Sequence, residues 1–189
     1  MVKFVFHSLT LLISLSFVLL AGCESLKIQF FPHQHVTFIC RYSEQIPTIP
    51  PGKKAVLVGG VFDVIHYGHL CFLKAAKSHG DYLIIAIEPD AFVEEHKHRV
   101  PVHTQEKRAE ILSHIDIVDA VIMLPTMEGY KDYLGFVEKV RPSVIAITEG
   151  DPYRVEKEKQ ATMVGAKVIA VVSRRSEFST SEILKHMCR

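Results

Sequence analysis

The stretch GVFDVIHYGH, residues 60–69, decides the fold of this chain. The apolar residues 55–58 before it are typical of a strand that is buried on both faces of a parallel sheet. The residues after it, 70–77, continue in a helical pattern. A turn with glycines between a strand and a helix offers free backbone N–H groups and a helix dipole, which both favour an anion. The stretch therefore predicts a phosphate-binding turn, to which two histidines add hydrogen-bond donors.

These ten residues resemble the HxGH signature of the cytidylyltransferase-like nucleotidyltransferases. That family includes glycerol-3-phosphate and phosphoethanolamine cytidylyltransferases and heptose-phosphate adenylyltransferases. His66 and His69 match the two histidines of the signature, and Phe62-Asp63 lies at the expected distance before them. The resemblance implies that the histidines contact a nucleoside triphosphate and stabilise the transition state. The alternative is a tight turn that carries two ordinary surface histidines.

Residues 95–108 resemble the lysine-bearing loop of the same family and the helix start that follows it. Lys97 is the nearest equivalent of the lysine that reaches the phosphates, within about one residue of register. A solvated charged loop is the alternative for this segment. Arg108 could either hold the loop or contact phosphate, and the sequence leaves both open. Three histidines in or near this loop, at 96, 98 and 103, lack the spacing of a zinc site, so no metal site is predicted.

Two further segments resemble family motifs. Residues 174–181 look like the arginine-to-serine/threonine signature at the start of the last helix, with Arg174 in the arginine position. Glu177 stands where the family commonly has glycine. Residues 149–153 resemble, more loosely, a Gly-Asp loop near the base or ribose. The resemblance thus assigns catalytic roles to His66, His69, Lys97 and Arg174, and nucleotide binding to Gly60, Val61, Phe62, Asp63, Gly68, Gly150, Asp151, Ser179, Thr180 and Ser181.

From residue 53 onward, apolar runs alternate with helical patterns, which predicts an α/β domain. The predicted strands are 55–59, 82–87, 120–124, 144–148 and 167–172. The predicted helices lie near 67–78, 90–95, 104–114, 130–140 and 153–164, and a last one begins near 179. This order predicts a Rossmann-like, doubly wound five-stranded parallel sheet with helices on both faces. Ligands bind such sheets beyond the carboxyl ends of the strands, so the loops after the first, fourth and fifth strands should converge on one crevice.

The chain is predicted to have three parts. Residues 1–23 are almost all apolar and end in Leu-Ala-Gly-Cys, which is typical of a signal or membrane anchor and resembles a lipobox with a lipidated Cys23. Residues 24–52 form a Pro-rich linker with room for an edge strand near 36–39. Residues 53–189 form the nucleotidyltransferase domain. Because the predicted reaction uses a nucleoside triphosphate, we expect a cytoplasmic location. The alternative is a membrane-anchored lipoprotein, tethered through a lipidated Cys23. A third interpretation is that the start of the sequence is misassigned.

We expect transfer of a nucleoside monophosphate from CTP or ATP to a small phosphomonoester, with release of pyrophosphate and with Mg²⁺ bridging phosphate oxygens. A phosphomonoester has a second pKa of about 6, so the reaction needs alignment and charge cancellation rather than a strong base. A net charge of +1 gives no reason to expect a nucleic acid partner. The alternatives are a membrane-tethered nucleotide-binding module without turnover and a lipoprotein that binds another anion. The resemblance also implies a possible homodimer.

Overall fold

The structure is a computed structural model. It describes residues 37–43 and 46–173, together with Thr180 and Ile183. All of them belong to one compact unit, His35–Arg189. The strands within the described residues are β1 (Phe38–Arg41), β2 (Ala55–Gly60), β3 (Tyr82–Ile87), β4 (Ala120–Met123), β5 (Val144–Thr148) and β6 (Lys167–Val172). The helices are α1 (Tyr67–Lys77), α2 (Asp90–Lys97), α3 (Gln105–Ser113), α4 (Tyr130–Val140) and α5 (Arg154–Val164).

The strands form one parallel sheet in the order β1-β4-β3-β2-β5-β6. After β4 the chain returns to the other side of β2 and forms β5, so the strand order reverses between β2 and β5. Ligands of doubly wound sheets bind at such a switch point, beyond the carboxyl ends of the strands. The carboxyl ends of β2 and β5 are neighbours there, which brings the loops that follow these two strands together.

Helices cover both faces of the sheet. Leu73 of α1 and Leu112 of α3 pack with Val56 in one buried cluster. Phe136 of α4 packs with Leu57 in a second cluster on the opposite face. Side chains alternate between the two faces along a strand, so interior strands need apolar residues at every position. This requirement explains the uninterrupted apolar runs by which the sequence reveals its strands.

The predicted α/β fold is confirmed, with a sheet of six strands among the described residues rather than five. The additional strand, β1, lies within the segment predicted as a linker and pairs with β4. It begins two residues later than the edge strand anticipated near 36–39. The hydroxyl of Thr37 lies 2.9 Å from the carbonyl oxygen of Ser113 and 2.7 Å from that of Val118, which fixes the start of β1. Part of residues 24–52 therefore belongs to the sheet.

The predicted signal or anchor segment, residues 1–23 with Cys23, lies outside the described residues. In the part of the chain that the structure describes, none of the helices is both long enough and apolar enough to cross a membrane. Residues 174–179 and 181–182 are also outside the described part. The predicted contacts of Arg174, Ser179 and Ser181 therefore stay predictions.

Candidate active site

The residues that link β2 to α1 form a strained turn at the switch point. Phe62 and Val64 both have left-handed backbone, with φ of 52° and 55°. This conformation costs roughly 1–2 kcal/mol for a residue with a side chain, and it is exceptional for a β-branched valine. The buried ring of Phe62 lies so close to Gly60 that a Cβ there would come within 3.1 Å of it. A side chain at position 60 would thus force the Phe62 ring to shift by a few tenths of an ångström.

Two long-range hydrogen bonds hold the backbone of this turn. Nη1 of Arg108 donates to the carbonyl oxygen of Val61 at 2.5 Å. Oγ1 of Thr180, a residue with helical backbone, donates to the carbonyl oxygen of Asp63 at 2.6 Å. Thr180 therefore lies against the HxGH turn, 117 positions along the chain from Asp63. Strained backbone persists only where the surrounding structure determines it in this way.

His66 and His69 stack on each other at the start of α1, with Gly68 between them in the first helical turn. Their ring centroids are 3.7 Å apart and their planes differ by 22°. Both Nδ1 atoms are buried and have no hydrogen-bond partner among the described residues. Burial lowers the pKa of His66; burial and the neighbouring His66 lower the pKa of His69 to about 3, against an opposing effect of Asp63. Both rings are therefore neutral at pH 7, and each carries one N–H donor at a helix N-terminus.

The carboxylate of Asp63 holds the lysine-bearing loop on this turn. It is 1% exposed and accepts hydrogen bonds from Nη1 of Arg99 at 2.6 Å and from the N–H groups of Val102 and His103, both at 3.1 Å. Burial alone would raise the pKa of Asp63, but these hydrogen bonds keep it below its usual value. The resemblance implied that Asp63 binds nucleotide. The contacts in the structure show that Asp63 positions the loop, and its predicted role in nucleotide binding stays a prediction.

Arg108 is completely buried and joins three loops at the same edge. Besides its bond to the turn, Nε donates to the carbonyl oxygen of His103 at 3.1 Å. Nη2 donates to the carbonyl oxygen of Glu88 at 2.9 Å and to the carboxylate of Asp90 at 2.6 Å. The sequence left two roles open for Arg108, and the contacts are those of a residue that holds the loops.

Three other predicted residues lie around this edge. Lys97 is exposed at the last position of α2. Gly150 follows β5 with a left-handed φ of 73°. Asp151 accepts hydrogen bonds from the N–H of Tyr153 at 2.8 Å and from Nζ of Lys157 at 2.7 Å. Lys157 is therefore a cation at this edge that the sequence analysis did not identify.

Glu88 is a second residue that the sequence analysis missed. It directly follows β3, and both its carboxylate oxygens lie 3.1 Å from the hydroxyl of Tyr133 on α4. Burial raises the pKa of Glu88, although the Tyr133 hydrogen bond and nearby cations oppose this. The available signal was its position, because a carboxylate at the end of an interior strand lies at the ligand-binding edge.

The described residues contain no group of three or more His, Cys, Asp or Glu side chains that could hold a metal ion. Mg²⁺ commonly binds through substrate phosphates and water with only one or two carboxylates. The donors at this edge fit that mode of binding. They do not form a dedicated protein cage.

Comparison with known proteins gives consistent matches. A family model described as Cytidylyltransferase-like matches residues 57–186, which include the HxGH turn, the lysine-bearing loop and the last motif. A FAD synthase of Pyrococcus abyssi is 37% identical over 138 residues, covering 70% of this chain and 90% of that protein. The Bifunctional protein HldE of Pseudomonas fluorescens is 33% identical over 139 residues, covering 70% of this chain and 28% of that protein. The crystal structure of a lipopolysaccharide core biosynthesis protein from Thermoplasma volcanium matches with a TM-score of 0.55 and 26% identity, covering 66% of this chain and 98% of that one.

Proposed function

This chain belongs to the cytidylyltransferase-like family and is a nucleotidyltransferase, and we propose that it transfers the adenylyl group of ATP to a small phosphomonoester. The observation that carries the proposal is the stacked pair of His66 and His69 at the N-terminus of α1, beside the switch point. Their buried Nδ1 atoms have no partner among the described residues. An imidazole whose Nδ1 has no partner can carry its hydrogen on Nε2, from which it could donate a hydrogen bond to a phosphate oxygen of ATP.

ATP is favoured over CTP by the relatives. FAD consists of an adenylyl group joined to the phosphate of FMN, so an enzyme that makes FAD from FMN needs an adenylyl donor. A protein named FAD synthase covers 70% of this chain at 37% identity. FMN is therefore the first acceptor to examine, and other phosphate esters of polyols come next.

In the proposed reaction, a phosphate oxygen of the acceptor attacks the α-phosphorus of ATP. The new P–O bond forms as the bond from that phosphorus to the bridging oxygen breaks, and pyrophosphate leaves with the negative charge. The neutral imidazoles of His66 and His69 would donate hydrogen bonds to oxygens whose charge increases. Lys97 and Arg174 would neutralise further charge. A Mg²⁺ ion held mainly by the phosphates would supply additional charge neutralisation.

The buried residues around the turn would keep this geometry. Asp63 fixes the loop that follows Lys97, and Arg108 fixes the backbone of the turn itself. Neither side chain needs to contact substrate for this role. Fixed donors cost no reorganisation during the reaction, which is the basis of electrostatic catalysis.

The test uses the purified full chain with Mg²⁺ and measures pyrophosphate release. ATP and CTP are each combined with FMN, glycerol 3-phosphate, sugar phosphates and phosphoethanolamine. We expect release with ATP and a polyol phosphate. Riboflavin with ATP is the matched control, because it lacks the attacking phosphate and should give no release. Release with CTP alone would overturn adenylyl transfer, and no release with any pair would overturn the proposed reaction.

A further inference from the structure

Glu88 lies at the ligand-binding edge, on the opposite face of the sheet from the stacked imidazoles. Its N–H donates to the carbonyl oxygen of Gly60 at 3.1 Å, so it lies beside the end of β2. Ile84 and Ala86 of the preceding strand pack in the cluster that is covered by α4 and α5. By the alternation of side chains along a strand, Glu88 faces the same helices, and there it contacts Tyr133.

Few hydrogen-bond donors contact the carboxylate of Glu88. Within the described part of the chain, the hydroxyl of Tyr133 is its hydrogen-bond donor, and that hydroxyl has one hydrogen to share between two oxygens. An ionised carboxylate has about four acceptor positions. Asp63, on the neighbouring loop, receives hydrogen bonds from three groups. Glu88 is thus a half-buried carboxylate with acceptor positions left for a ligand.

The charge of Glu88 limits which part of a ligand can reach it. A carboxylate repels phosphate, so the triphosphate and the reactive phosphate belong beside His66 and His69. The remaining, uncharged part of the acceptor can approach Glu88. An ammonium group would also be attracted, but the cations of Lys157 and Arg108 already act on this carboxylate. Hydroxyl groups are the donors that fit an acceptor-rich site of this kind.

Building on the proposed function, we infer that Glu88, held by Tyr133, accepts hydrogen bonds from hydroxyl groups of a polyol-bearing phosphomonoester and thereby selects the acceptor. The acceptor crosses the edge of the sheet. Its phosphate lies near the imidazoles on the α1 side, and its hydroxyl groups lie over the end of β3 on the α4 side. Neighbouring strands are about 4.8 Å apart, a distance that a short carbon chain spans.

The test compares the wild type with Glu88→Gln on pairs of acceptors that differ in hydroxyl groups. The pairs are FMN with its analogue that has a hydroxyl-free pentyl chain, and glycerol 3-phosphate with n-propyl phosphate. Glutamine keeps the shape of the side chain and an oxygen for Tyr133, but it loses the charge. We expect the wild type to prefer the hydroxylated member by about tenfold or more in kcat/KM. Glu88→Gln should reduce that preference at least about fivefold and leave the KM for ATP within about twofold.

Glu138→Gln is the matched control, because it makes the same change at an exposed position of α4. It should leave the preference unchanged. Calorimetric titration of the same phosphomonoesters gives the preference as a ratio of Kd values and does not require turnover. If pyrophosphate release fails but the Kd ratio still depends on Glu88, the proposed reaction is overturned and the role of Glu88 is supported.

Three results would overturn the inference while the reaction stands. The wild type could show no preference for hydroxylated acceptors. Glu88→Gln could lower the melting temperature and leave the preference intact, which would mean that Glu88 only fastens α4 to β3. With phosphoethanolamine as a further acceptor, a loss of activity in Glu88→Gln confined to that acceptor would assign the carboxylate to an ammonium group.

Discussion

The hydroxyl of Thr180 donates a hydrogen bond to the backbone carbonyl of Asp63 at 2.6 Å, across 117 positions of sequence. The carboxylate of the same aspartate accepts hydrogen bonds from the N–H groups of Val102 and His103. Asp63 therefore connects the HxGH turn with both the lysine-bearing loop and Thr180. These three sites belong to separate sequence motifs, and Asp63 contacts all of them, while Arg108 provides a second link between the turn and the lysine-bearing loop.

Replacing Asp63 by Ala should lower the free energy of unfolding by about 3 kcal/mol, because two backbone donors and a guanidinium lose their acceptor. Arg99→Ala should cost only about 1 kcal/mol, since the side chain of Arg99 is 25% exposed and the backbone bonds to Asp63 remain. Chemical denaturation measures both. As a control, Glu158→Gln in the exposed pair with Arg154 should stay within about 0.5 kcal/mol. Equal losses for Asp63→Ala and Arg99→Ala would contradict a central role for Asp63.

Replacing His69 by Asn should reduce kcat and kcat/KM by at least about 100-fold, because a donor to the developing charge is removed. Steady-state kinetics with ATP and the best acceptor measures this change. His114→Asn, at an exposed position after α3, removes an imidazole elsewhere and should keep wild-type rates. An increase in the KM for ATP at unchanged kcat would show that His69 contributes to binding alone.

The free energy of unfolding should decrease at acidic pH, and part of this decrease should depend on His69. Its pKa is lowered to about 3 in the folded protein, whereas a histidine in the unfolded chain titrates near 6.5. Between these values the unfolded state binds more protons, so the free energy of unfolding decreases as the pH falls from about 6.5 towards 4. Denaturation at several pH values should show a smaller decrease for His69→Gln than for the wild type. Equal slopes for the two proteins would contradict the lowered pKa.

The strain at Val64 can be measured by comparing two substitutions. Both Val64→Gly and Val64→Ala remove most of the side chain, but only glycine accepts a φ of 55° without strain. The glycine variant should be more stable by about 1 kcal/mol in chemical denaturation, after the greater flexibility of glycine in the unfolded state is subtracted. At exposed Val155 in the helix α5 the order should reverse, with Gly less stable than Ala by about 1 kcal/mol. The same order at both positions would argue against strain at Val64.

The sequence reveals the five interior and C-terminal strands because each carries an apolar run between helical patterns. The strand β1 is harder to recognise. Its four residues, FICR, follow no clear alternation, and a proline-rich stretch comes soon after it. Its position depends on pairing with β4, which is a property of the folded sheet. Local pattern therefore identifies strands that contain their own signal and gives only a weak indication of a short strand at the edge.

The residues of the site also divide into those that a local motif identifies and those whose role depends on contacts distant in sequence. His66 and His69 are recognisable because their motif is local. The role of Asp63 depends on donors 36 to 40 positions away, and the contacts of Arg108 span up to 47 positions. Glu88 resembles a solvated loop residue in the sequence. Only the packing of α4 against the sheet gives it a partner and a burial that distinguish it.

The strand β1 comes from outside the matched region 57–186, yet it occupies one border of the sheet. The neighbouring strand, β4, is entirely apolar. β1 pairs with the backbone N–H and C=O groups along one side of β4. A protein shortened to residues 53–189 would lack β1. The unpaired N–H and C=O groups of the apolar strand β4 would then be exposed at the edge of the sheet, where they could pair with another molecule. We therefore expect β1, which lies ahead of the matched region, to protect the edge of β4 from pairing with another molecule.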